Sequence, residues 1–97
     1  MKVQREKTMK TYMVERSLKG ISMEQLGEAQ KSAIDKAAQM TKSGTPVSYL
    51  HSTFVPNDGR CMCMFQANDA RDVERLNRDC NIPFDKVTEA MHLPPDK

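Results

Sequence analysis

Cys61-Met62-Cys63-Met64-Phe65 constrains this chain more than any other stretch: five apolar side chains in a row, following the turn Pro56-Asn57-Asp58-Gly59 and Arg60. Successive side chains of a strand point to opposite sides of its sheet, so a strand with one wet face alternates apolar and polar residues. This run does not alternate, which predicts a central strand covered on both faces. A chain of 97 residues makes one domain, with helices enough to cover one face. The other face is expected to meet a second copy of the chain.

The other elements follow from periodicity and turn chemistry. Thr11–Arg16 is expected as the first strand, with Gly20 in the turn after it. Ser22 followed three residues later by Gln25 is a capping box. Leu26, Ala29, Ala33, Ala37 and Met40 then recur at helical spacing, and Ser43-Gly44-Thr45-Pro46 stops the helix. Val47–Val55 reads as an edge strand, with Val47, Tyr49, His51, Thr53 and Val55 on one face and Ser48, Leu50, Ser52 and Phe54 on the other. The turn at Gly59 pairs it with the apolar strand as a hairpin.

Asn68 is expected to cap a second helix, Asp69 to Cys80, burying Ala70, Val73, Leu76 and Cys80. The pairs Glu74–Arg78 and Arg75–Asp79 mark its solvated face. Asn81 suits a left-handed closing position, Pro83 forbids continuation, and Lys86–Met91 makes the last strand. The order β-α-β-β-α-β with right-handed crossovers predicts an α+β domain of ferredoxin-like type, a four-stranded antiparallel sheet in the order 4-1-3-2 with both helices on one side. The domain is expected over residues 10–93, with a flexible polar arm at 1–9 and a tail at 94–97; Met9 offers an alternative start, which would make the arm an extension.

Charge and cysteine usage exclude several classes. Lys2, Arg5, Lys7 and Glu6 place the whole net charge of +2 in the first nine residues, so the domain has no excess with which to grip a phosphate backbone. RNA-binding modules of this topology stack bases on aromatic residues of the third strand, where this chain has Met62 and Met64. No run is long and apolar enough for a membrane span or leader, so no membrane partner and a cytoplasmic location are expected. Three cysteines, two of them spaced Cys-x-Cys, fit a reduced compartment and match neither the redox nor the zinc Cys-x-x-Cys pattern. The eight methionines supply soft apolar surface. A two-fold homodimer is expected to bury Met13, Met62, Met64, Cys61 and Cys63, each side chain worth roughly 1.5–3 kcal/mol.

No catalytic motif stands out. Glu15, His51, Cys63 and Glu89 carry the donor chemistry of a divalent transition-metal site. Arg16 of another face, Lys86 or Lys10 are the expected partners of Glu15, and Arg16 is also that of Glu89. The leading expectation is a homodimeric ligand- or metal-binding protein with a small molecule or metal ion between its two sheets. The alternative is a cofactor-free dimeric-barrel enzyme, an oxygenase or isomerase, with His51 or Glu15 as general base.

Four segments taken together, Tyr12-Met13-Val14-Glu15-Arg16 running on to Gly20-Ile21-Ser22, the Cys63 strand, Asn81-Ile82-Pro83 and Val87-Thr88-Glu89, carry a resemblance. Over about residues 10–91 the chain resembles a small domain-of-unknown-function family whose members are often labelled nickel-binding proteins. The resemblance implies a ferredoxin-like sheet paired into a dimeric α/β barrel, and nickel as cofactor. It also implies histidine ligands where this chain has Glu15-Arg16, Asn77, Ile82 and Thr88, with the Cys63 and Glu89 positions kept. Imidazole binds nickel better than a carboxylate does, and a guanidinium is no ligand.

Overall fold

The structure, a computed structural model, describes residues 9–95. Residues 1–8 of the expected arm and 96–97 of the expected tail lie outside the described residues. Strands β1 (Lys10–Ser17), β2 (Val47–Val55), β3 (Arg60–Ala67) and β4 (Lys86–Ala90) alternate with helices α1 (Met23–Lys42) and α2 (Ala70–Asp79) in the expected order. They form one antiparallel sheet, β2-β3-β1-β4, which is the predicted 4-1-3-2 order read from the other edge. The ferredoxin-like α+β architecture is thus present, with the apolar strand second from the edge.

Local chemistry explains where the elements start and stop. Ser22 accepts the Gln25 amide N–H at 3.0 Å while the Gln25 side chain accepts the Ser22 amide N–H at 3.1 Å, closing the capping box at the head of α1. Asn81, at φ 57°, takes the left-handed position that ends α2. Gly59 turns the hairpin at φ 77°, and a Cβ there would stand 2.5 Å from the Lys19 Cα. One boundary differs from expectation: Asp69, not Asn68, caps α2, its carboxylate accepting the Arg71 amide N–H at 2.9 Å. The Arg71 guanidinium closes on the same carboxylate and holds its pKa below the usual range.

Alternation sorts the sheet into two faces. Tyr12, Val14 and Arg16 of β1 and Cys61, Cys63, Phe65 and Ala67 of β3 point to the helices and are buried. There they meet Ala33, Ala37 and Met40 of α1 and Val73 and Leu76 of α2. Met13 and Glu15 of β1, with Met62 and Met64 of β3, share the open face and are half-buried. Cys61 and Cys63 therefore belong to the core of the single chain, not to the surface on which a second copy was expected to sit. The methionines alone remain for that role.

Two further expectations are corrected by packing. A register shift between Tyr49 and His51 leaves Leu50 as the extra residue of a β-bulge in β2. Val47 and Tyr49 face the helices before it, whereas Ser52 and Phe54 do so after it, opposite Cys63 and Cys61. His51 and Thr53 turn to the open face beside Met64 and Met62. On α2 the buried stripe is Val73, Leu76 and Asn77, with Ala70 and Cys80 only partly buried, so a polar residue occupies a core position where a thiol was expected.

Candidate functional site

Small residues facing one another leave space. Ala29 and Ala33 of α1 lie across from Ser52, Cys61 and Cys63 of the sheet, and none of these side chains is long enough to fill the layer between them. The result is a cavity of about 150 Å³. Leu18, Leu26, Phe54 and Ile82 make its apolar wall; Arg16, Gln30, Tyr49 and Ser52 bring polar groups to it.

Arg16 is the unusual member. Its phase in β1, in step with Tyr12 and Val14, turns it inward, and only 3% of it is exposed. Nη2 donates to Asn77 Oδ1 at 2.8 Å and Nη1 to the Pro83 carbonyl at 3.2 Å. Asn77 is in turn fixed by its Nδ2 donating to the Val73 carbonyl at 2.8 Å. Both acceptors of Arg16 are neutral, and its buried Nε–H has no partner among the described residues. The expected Glu89–Arg16 pair does not form: Glu89 lies 3.8 Å from Lys10 instead. A signal for the inward turn existed in the alternation Tyr12, Val14, Arg16; Asn77 carried none, because it sits beside the Leu76 of the apolar stripe without sharing its character.

A directed chain of hydrogen bonds borders the cavity. Gln30 Nε2 donates to the Tyr49 hydroxyl at 2.9 Å, and the Ser52 hydroxyl donates to Cys63 Sγ at 2.9 Å. Ser52 has one proton, so the 2.5 Å contact between the two hydroxyls must be donated by Tyr49. The chain ends at the thiols, with Cys63 Sγ 3.8 Å from Cys61 Sγ. Burial pushes the Cys61 thiol up to about 11, Cys63 adds to the rise, and Arg16 pulls only weakly the other way. At neutral pH Cys61 is a protonated thiol rather than a thiolate nucleophile.

The four residues expected to hold a metal do not converge. Cys63 lies under the helices, opposite Val14 and Ser52. Glu89 pairs with Tyr12 on that side of the sheet but at its far edge. Glu15 and His51 share the open face, separated by β3, so about 9.5 Å of sheet width lies between their strands. Glu15 is 3.8 Å from Lys86, one of its three expected partners. Among the described residues no three His, Cys, Asp or Glu side chains group as metal ligands. The two expected general bases, His51 and Glu15, do not line the cavity.

Comparison with known proteins agrees with the fold. The crystal structure of SCO4226 from Streptomyces coelicolor A3(2) superposes with a TM-score of 0.73 at 18% identity, over 87% of this chain and 99% of that one. No curated protein matches the sequence. A family model described as "Nickel responsive protein SCO4226-like" matches residues 12–90. With most of its length so matched, the chain belongs to the SCO4226-like family.

Proposed function

We propose that the protein is a small-molecule-binding protein acting as a homodimer, each chain holding its ligand in the cavity beneath α1. The observation that carries this reading is the cavity itself: about 150 Å³ within a 97-residue chain, apolar for most of its wall and crossed by a few positioned polar groups. That volume suits a molecule the size of benzene. The site lies within each chain rather than between two sheets. Fragment-sized molecules followed by ligand-observed NMR test it, with Ala29→Phe as the variant that fills the space. Binding should be seen with the native chain and lost in the variant; equal binding to both would overturn the reading.

The open face supports the dimer. Met13, Met62 and Met64 are half-buried in the single chain, and covering each would contribute roughly 1.5–3 kcal/mol. Light scattering at micromolar concentration should return the mass of two chains; the mass of one would remove the dimer.

Nickel, which the family description names, finds a poor donor set here. The resemblance implies histidine ligands where this chain has Glu15-Arg16, Asn77, Ile82 and Thr88; of these, Arg16 bonds to Asn77, and Ile82 N–H donates to the Asn77 carbonyl at 3.0 Å. A guanidinium held beside the thiols repels a divalent cation. Elemental analysis of protein purified without a tag should find nickel well below one ion per chain; a stoichiometric content would overturn this part of the proposal. An enzyme using His51 or Glu15 is disfavoured by their placement on the open face, away from the cavity.

A further inference from the structure

We propose that the ligand of this cavity is a small monocarboxylate, its carboxylate seated on the Arg16 guanidinium and its hydrocarbon part against the wall formed by Leu26, Ala29 and Phe54. The inference rests on the ligand-binding reading above and adds the chemical class.

The unsatisfied charge points to it. A guanidinium carries five N–H donors, of which two are engaged among the described residues, both by neutral oxygens. The Nε–H is buried and idle, and none of the ion pairs among the described residues involves Arg16. A charge taken out of water without a counter-charge is unfavourable, and native proteins keep such a group where something compensates it. Here Arg16 lines a cavity, so the compensating group can come from a ligand.

The cavity also limits which anion fits. Among the described residues Arg16 is the one cationic side chain in its lining, so one negative charge balances it and a phosphate dianion would be left under-neutralised. The planar N–H array of a guanidinium matches the two oxygens of a carboxylate better than it matches a spherical anion. Tyr49 and Ser52 spend their hydroxyl protons, and Gln30 one of its two amide N–H donors, in the chain that ends at Cys63. The hydrocarbon part of the ligand meets the apolar side of the lining, and the volume admits about one ring or a short alkyl chain.

Benzoate and hexanoate, each set against its amide, test the class on the native chain. The expected result is that the acids bind at least about tenfold more tightly than the amides, the factor a charge-assisted bond adds over a neutral one. In ¹H–¹⁵N spectra the acids should shift the Arg16 Nε–H resonance, and Arg16→Gln should bring the acid-to-amide ratio close to one. Should that variant fail to fold, the ratio and the Nε–H shift in the native chain decide alone. Amides that bind as well as acids would overturn the carboxylate while leaving a ligand cavity in place. Acids and amides that both fail, while other fragments bind and are displaced by Ala29→Phe, would overturn the class only. Failure of every fragment would remove the ligand reading as well.

Discussion

The two faces of β3 start from nearly the same apolar composition and end in different states. Toward the helices, Cys61, Cys63, Phe65 and Ala67 are all buried, and Phe65 is 0% exposed with its ring edge-on to Tyr49 at 5.4 Å. Toward the other side, Met62 and Met64 are half-covered by their neighbours in the sheet. An unbroken apolar run therefore shows that a strand is central, but not what covers each side. The helix-facing side is packed within the chain apart from one cavity, whereas the open side stays half-covered.

Four measurements would break or sharpen that contrast. The largest effect is expected at Phe65→Ala, which empties a fully buried site and should cost about 3–5 kcal/mol in urea denaturation. A loss under about 1 kcal/mol would mean that the helix-facing side is no better packed than the open one. Next, Asn77→Ala removes the acceptor of Arg16 Nη2 and should cost about 1–3 kcal/mol, because a second buried donor loses its partner. An unchanged midpoint would show that Arg16 does not depend on Asn77. Third, Met64→Glu on the open face should keep the far-ultraviolet circular dichroism of the fold while halving the mass seen by light scattering. Lost structure instead would place Met64 in the core.

The smallest effect concerns pH. The folded chain holds the Cys61 proton to about pH 11, against 9.0 for the same thiol in an unfolded chain. Between those values the unfolded state has released a proton that the folded state keeps, so stability falls as pH rises, having been full below 9. Urea midpoints taken from pH 8 upward should show this decline, and Cys61→Ala should flatten it. A decline identical in both proteins would mean that other groups cause it.

The fold was largely legible because local signals agreed with one another. Ser22 and Gln25 announced α1, Asn81 closed α2, and Cys61–Phe65 placed its strand at the centre. Of the expected site, only the Glu15–Lys86 contact could be read from charge and strand position. The cavity was hidden, since it is made by what Ala29, Ala33 and Ser52 lack in size, and sequence shows residues rather than the gaps between them. Arg16 was expected to pair with Glu89, because arginine is rarely buried without an acidic partner. Asn77 was missed for a related reason: its role is to hold Arg16, across a separation of 61 residues.

The extra residue at Leu50 works as a change of phase within β2. Ahead of it the odd-numbered side chains look to the helices, and beyond it the even-numbered ones do. Were Leu50 instead paired in regular alternation, Ser52 and Phe54 would swing outward and His51 and Thr53 would turn in among the thiols. The bulge at this one residue thus decides whether this border strand completes a chamber or only hems a sheet.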